Sequence, residues 1–267
     1  NENAIPVASA GGFYDHQIAQ SVRIDAASSS NLTFTPSGSP SSDKITTISF
    51  WSKQSLDRGG YASNVVSYWY TSYSSSSSRA AISQYDLDSN TASELNAFSK
   101  GNDMLLTTNN SFRDTNAWSH LVLRIDTTQS TEADRVRFYL NGSEMGFKTS
   151  YFGSADYPGQ NETIVWNDAM RHTIGAYDGG GFPYDGYFAE FIHADGQSYA
   201  PTQFGESKNG VWIPKDPSGT TFGNNGFHLK FENASDLGND SSGNNNDFTA
   251  SGLGADHQVL DSPTFGS

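Results

Sequence analysis

The chain contains no cysteine, so no disulfide and no thiolate metal site can form, and stability has to come from packing alone. Positive charge is scarce: 15 Lys and Arg face 29 Asp and Glu, a net charge of -14. A bare phosphate backbone or an anionic membrane surface would be repelled by that balance, which argues against nucleic-acid binding. No stretch approaches the ~18 consecutive apolar residues of a membrane-spanning helix, so membrane insertion is not expected. Asn1 to Gly12 lacks the basic and apolar regions of a signal peptide. Opening on Asn1 instead of Met suits a product that was processed or excised. Methionine is rare (3 residues), and no segment shows a sustained apolar repeat at helical spacing.

Glycine (26 residues) and a 13% aromatic share are what the chain has in abundance. Many turns between aromatic and β-branched runs predict an all-β domain. At 267 residues the chain fits one large β-domain. Residues 1–17 lack period and end near the Gly11-Gly12 break, so they are expected to be an arm. Residues 18–263 form the domain and 264–267 a tail.

Alternation places the strands. In Ile45 to Ser52, Ile48 and Phe50 share one side and Trp51 takes the other. Trp118 to Asp126 puts Leu121, Leu123 and Ile125 on one face, and Val122 opposite predicts cover on both sides. Val136 to Leu140 runs into Asn141-Gly142, the strongest short hairpin signal, because both residues tolerate positive φ. Residues 53–80 read as irregular, with Tyr68-Trp69-Tyr70 and Tyr73 beside the solvated Ser74 to Ser78 run. Residues 80–117 read as weaker strands and turns. Further strands are expected at Tyr187 to His193 and Phe227 to Phe231, with a polar loop over 233–247. Ten to thirteen short strands with long loops fit two stacked antiparallel sheets.

Three stretches resemble the laminin-G-like branch of the concanavalin A-like lectin/glucanase superfamily. They are Trp118-Ser-His-Leu-Val-Leu-Arg-Ile-Asp126 with Val136 to Gly142, Asp185 to His193 with Ile174-Gly175 upstream, and Asp240-Ser-Ser-Gly-Asn-Asn-Asn-Asp247. Gln17 to Ile24, Phe204-Gly-Glu206, Gly210 to Lys215, Asn225 to Phe231 and Val259 to Pro263 are similar to a module of tailed-phage, especially marine, virion proteins. The resemblance spans about residues 17–263 and implies a concanavalin A-like jelly roll: an antiparallel two-sheet β-sandwich with long loops. It also implies a virion surface module, as a tail-fibre or receptor-binding component or a capsid decoration protein. Its partners would be other virion proteins or a host-surface glycan, and a homo-oligomer, in particular a trimer, would be expected. A stand-alone carbohydrate-binding lectin and a polysaccharide-cleaving enzyme are the rival readings.

The chemistry of the sequence favours a module without catalysis. Glycoside hydrolases of this fold place carboxylates at alternate positions of one strand, so that two flank the scissile bond. Asp185, Glu190 and Asp195 stand five apart, so neighbours face opposite sides. No G-x-S-x-G elbow appears, and His120, His193 and His228 sit within predicted strands, where a packed, satisfied imidazole is the plain expectation. Calcium is the one cofactor with a candidate site. Asp236, Asp240, Asn244, Asn246 and Asp247 concentrate the oxygens it prefers, although Asx turns explain the same residues. Asp178 and Asp185, flanking Gly179-Gly180-Gly181, form a second candidate. For a glycan, or for a subunit interface, Tyr68, Trp69, Tyr70 and Tyr73 form one aromatic group. Tyr157 and Trp166, near Tyr151 and Phe152, form another. Core packing and loop anchoring are the bland alternative for both.

Overall fold

A computed structural model describes residues 12–55, 65–72, 79–86, 93–100, 104–111, 114, 116–148, 155–177 and 180–264. Among them lie seventeen β-strands and only single-turn helices. The fold is an all-β, antiparallel two-sheet sandwich, as expected.

One sheet has eight strands. Its order is β10 (Ser143–Met145), β9 (Val136–Leu140), β8 (Ser119–Asp126), β3 (Ile45–Gln54), β12 (Gly186–Asp195), β1 (Ser21–Ile24) and β17 (Gln258–Val259), and β15 (Phe227–Leu229) also pairs with β12. The other has seven, in the order β16 (Thr249–Ser251), β2 (Asn31–Phe34), β11 (Arg171–Ile174), β4 (Val65–Ser72), β5 (Arg79–Asp86), β6 (Ser93–Lys100) and β7 (Met104–Ser111). A separate hairpin joins β13 (Gly205–Lys208) and β14 (Val211–Pro214).

The core between the sheets follows the alternation of the sequence. Ile48, Phe50, Leu121, Leu123 and Ile125 from the larger sheet meet Leu32, Trp69, Ile82 and Ile174 from the smaller, all buried. Phe50 stacks flat on Phe191, with ring centroids 4.6 Å apart. The opposite face of the larger sheet is covered too. Val122, Tyr139, Ile192 and Phe204 form one apolar cluster there, and Ile18, Trp51 and Ala189 another. Asn141 (φ 48°) and Gly142 (φ 77°) turn β9 into β10 as the hairpin signal requires. A Cβ on Gly142 would lie 2.4 Å from the Trp212 ring, so a second reason for glycine is this close approach.

Two stretches differ from expectation. Residues 65–72 form β4, and β5, β6 and β7 are eight-residue strands in one continuous meander. Their inward positions are Ala80, Ile82, Leu95, Ala97, Met104 and Leu106, all buried. Small residues at two of these positions, Ala80 and Ala97, weaken the apolar signal without weakening the backbone ladder.

The two ends of the domain close on one another. Ile18 N donates to Thr264 Oγ1 (3.0 Å), and its carbonyl accepts from Ser262 Oγ (2.5 Å).

Candidate functional site

Four of the aromatic candidates are not where a ligand could stack. Tyr68, Trp69 and Trp166 are completely buried, and Tyr70 nearly so. A β-bulge between Ser67 and Trp69 inserts one extra residue into β4, so Tyr68 and Trp69 both reach the core instead of alternating. Tyr68 packs against Phe50 and Tyr184 and donates to Gln84 Oε1 (2.8 Å). Trp69 packs against Trp166, His172 and His193. Tyr70 lies on the outer side, stacked at 4.3 Å on Tyr177. Tyr157 is half-buried and packs edge-on against Phe147. Tyr73, Tyr151, Phe152 and Asp178 lie outside the described residues. Tyr68, Trp69 and Trp166 are thus corrected to core, with Tyr70 and Tyr157 as loop and sheet anchors.

The 236–247 loop does bring its residues together, but as hydrogen-bonding partners. Asp240 Oδ1 accepts from the amides of His228 (2.8 Å) and Ser242 (2.9 Å), and Oδ2 from Ser242 Oγ (2.7 Å) and the Asn246 amide (2.9 Å). Asp247 Oδ1 accepts from the Asp240 amide (2.8 Å), and Asp236 Oδ1 from that of Gly238 (3.3 Å). Asn244 and Asn246 turn their amide nitrogens onto the carbonyls of Gly223, Asn224 and Gly226. Calcium needs six to eight converging oxygens with free lone pairs. Here the central carboxylate already meets four donors and both amides present nitrogen, so the donor set does not fit the ion. Among the described residues no group of three or more His, Cys, Asp and Glu is placed to hold a metal.

His120, Glu190 and Asp195 are equally committed. Trp212 Nε1–H donates to His120 Nδ1 (3.0 Å), and an indole nitrogen can only donate. The ring is therefore neutral with its proton on Nε2, which faces Ser49 Oγ at 2.8 Å. The proton points from histidine to serine, the reverse of what nucleophile activation requires. Burial holds His120 neutral by lowering its pKa to about 3.

Glu190 occupies a second bulge, between Ala189 and Ile192, with φ at 48°. Its carboxylate meets His228 Nε2 and lies 3.5 Å from His16 Nε2. Burial pushes its pKa up, but the two imidazoles outweigh that and hold it at about 2. The adjoining cleft, lined by His16, Ser49 and Glu190, is about 10 Å³, room for one water. Asp195 is fully buried and accepts from the amides of Ser41 (2.6 Å), Ser42 (3.2 Å) and Asn225 (3.1 Å). Glu190 and Asp195 are thus held apart by separate partners.

A groove of about 370 Å³ stands open on the outer face of the seven-stranded sheet. Ser28, Ser29, Asn31, Thr33, Arg171, Thr173, Gly180 and Ser251 line it. Registers explain the convergence. Thr33 pairs with both Thr173 and Thr249, and Asn31 pairs with Ser251, so their side chains share one face. The rim is set by Ser29, in the left-handed region (φ 52°) after a 3-10 turn capped by Asp25, and by Gly180 beside it. Thr173 is 2% exposed, and its Oγ1 has no hydrogen-bond partner among the described residues. A buried hydroxyl without a partner costs free energy comparable to a lost hydrogen bond. Apart from Gly180, in the glycine run of the second calcium candidate, none of these residues stood out in the sequence. The only signal was the polar half of the alternation in β2 and β11, which every half-exposed strand shares.

No family model matches the chain, and no curated protein matches it. Solved structures do. One is a heptameric SAP-like pentraxin from Limulus polyphemus, at 12% identity, covering 70% of this chain and 81% of that one, with a TM-score of 0.48. Another is tailspike protein 2 of an Escherichia coli bacteriophage, at 11% identity and a TM-score of 0.47, covering 67% of this chain. A third is the domain pair LG4-5 of the mouse laminin alpha1 chain, at 10% identity and a TM-score of 0.43, covering 75% of this chain. The matched region spans 23% of the tailspike chain and 50% of the laminin chain.

Proposed function

We propose that this chain is a non-catalytic glycan-binding module whose ligand lies in the groove over β2, β11 and β16. The observation that carries the reading is the unpartnered, buried Thr173 hydroxyl on the floor of a groove otherwise lined by hydroxyl, amide and guanidinium groups. Such a lining offers both donors and acceptors, as a polyhydroxylated ligand requires. The volume lies within the usual range of ligand sites, about 300–1,000 Å³. The engaged states of Ser49, Glu190 and Asp195 favour binding over turnover.

The test is a glycan array followed by calorimetry on the wild type and Thr173→Val. That substitution keeps the shape and removes the hydroxyl. Binding should weaken several-fold while the melting temperature rises, since a buried group without a partner is removed. Silence across the array, or undiminished binding by the variant, would refute the reading. Because the 236–247 loop does not suit calcium, binding should survive a chelator.

The wider setting we propose is adhesion by a tailed-phage virion, with the module displayed at the particle surface beside other virion proteins, in a trimer. The motifs from Gln17 to Pro263 support this setting. Mass measurement in solution and immunolabelling of particles would test it, and a monomer absent from particles would rule it out.

A further inference from the structure

One part of the core between the sheets is rich in polar atoms. Trp69, Thr71, Trp166 and His172 are completely buried. Yet Trp69 Nε1, Trp166 Nε1, Thr71 Oγ1 and both ring nitrogens of His172 have no hydrogen-bond partner among the described residues. The topology gathers them. Thr71 stands opposite His172 in the β4–β11 register, so the two side chains leave the sheet on the same face. Trp69, two residues earlier on β4, shares that face. Trp166 comes from the single turn Val165–Asn167, which lies against β5. The Trp69 ring centroid is 5.3 Å from that of Trp166 and 5.2 Å from that of His172. On the strand beside Thr71 the paired residue is only Ala80. His193, packed against Trp69 and His172, is served through Nε2 by Thr46 Oγ1 (3.0 Å) and Asn167 Oδ1 (2.8 Å).

Buried polar groups in folded proteins are served by protein or by ordered water, and five idle atoms on four neighbouring side chains call for a common partner. Its chemistry follows from theirs. An indole nitrogen only donates, a neutral imidazole donates from one nitrogen and accepts at the other, and a hydroxyl does both. The partner must therefore accept from N–H groups and also donate. It must be small enough to sit among rings in contact. It must be uncharged, because burial keeps His172 neutral and none of the four side chains can balance an ion. Water meets all three conditions, and an enclosed water makes about three hydrogen bonds. We infer that this part of the core holds enclosed water, with at least one molecule bridging the His172 imidazole and the N–H groups of Trp69 and Trp166, and with Thr71 Oγ1 in the same hydrogen-bonded set. His172 faces inward and Thr173 outward on β11, so this site is separate from the groove and does not depend on that reading.

The experiment uses the full chain labelled with nitrogen-15 and carbon-13. Water-selective NOE and ROE spectra read the contact of each indole N–H proton with water. The indole signals are assigned through their own rings, so the main result needs no variant to fold. The N–H protons of Trp69 and Trp166 should each show a dipolar contact with water that outlives molecular tumbling. Thr71→Val, which removes the neighbouring exchangeable hydroxyl, should leave those contacts in place. His172→Phe keeps a ring in the packing and removes both nitrogens. In that variant the oxygen-17 relaxation dispersion, which counts long-lived waters, should fall by about one molecule or more.

Indole protons that lack any water contact and are shifted upfield would overturn the inference, because they would be aimed at the faces of neighbouring rings. Contacts that vanish in Thr71→Val would overturn it too, since they would be relayed by the hydroxyl. So would an unchanged water count in His172→Phe, or an anomalous bromide peak among the four side chains in a bromide-soaked crystal, which would make the guest an anion.

Discussion

Lowering the pH from 8 to 5 should cost this fold about 4 kcal/mol through two histidines alone. His120 and His193 are fully buried, and burial lowers their pKa values to about 3 and about 4, in the second case against the pull of Asp195. In the unfolded chain each returns to about 6.5. Above that value neither state binds a proton and nothing is lost. As the pH falls through it, the unfolded chain takes up protons that the native core refuses, at about 1.4 kcal/mol per pH unit per histidine. At pH 5 each has cost about 2 kcal/mol. His172, held well below its ordinary value by burial and by His193, adds in the same direction. Glu190 does not interfere, because its lowered pKa gives stability that is lost only below the ordinary carboxylate range of about 4.3. Against a net stability of about 5–15 kcal/mol, the loss is a large fraction. Urea titrations at pH 8, 6.5 and 5 and constant ionic strength measure it. In His120→Gln, whose amide can still accept from Trp212 and donate to Ser49, the pH 8 to 5 loss should shrink by about 2 kcal/mol. A wild type equally stable at pH 8 and pH 5, or a variant with an unchanged pH slope, would refute the reasoning.

Two further outcomes follow from packing and hydrogen bonding. Phe191→Ala should destabilise by about 4 kcal/mol in a denaturant titration, because it empties a fully buried site stacked on Phe50. Asp240→Ala strands four donors and should cost about 3 kcal/mol or more. A chelator should leave the wild-type melting temperature unchanged, and a drop on chelation would restore the loop as a calcium site.

How much of this was legible in the sequence depended on how strictly each strand alternates. β8 and β9 do so cleanly, with Asn141-Gly142 between β9 and β10, and their faces were readable residue by residue, including Val122 on the covered outer side. β4 does not. Its bulge sends Tyr68 and Trp69 inward in succession, and the Ser74 to Ser78 run downstream made them look like loop aromatics. The same device at Ala189/Ile192 places Glu190 outside the alternation that carries Phe188 and Phe191 to the core. The loop around Asp240 shows a different limit. Composition reports how many oxygens are present, whereas only the folded chain shows that four donors already occupy that carboxylate.

The groove escaped notice for a reason that also supports the proposed site. The larger sheet is covered on both faces, and the chain from Tyr199 to Phe222, together with Ile18, lies over its outer side. Residues there carry strong sequence signals because they are core. The seven-stranded sheet presents Asn31, Thr33, Arg171 and Thr173 on its outer face, residues that read as ordinary solvated positions one at a time. Their significance is collective and comes from register: antiparallel pairing sets Thr33 beside Thr173 and Asn31 beside Ser251 across more than a hundred residues of chain. A face that needs no cover for stability is the face free to take a ligand. The least conspicuous alternation in the sequence is therefore where binding is to be sought.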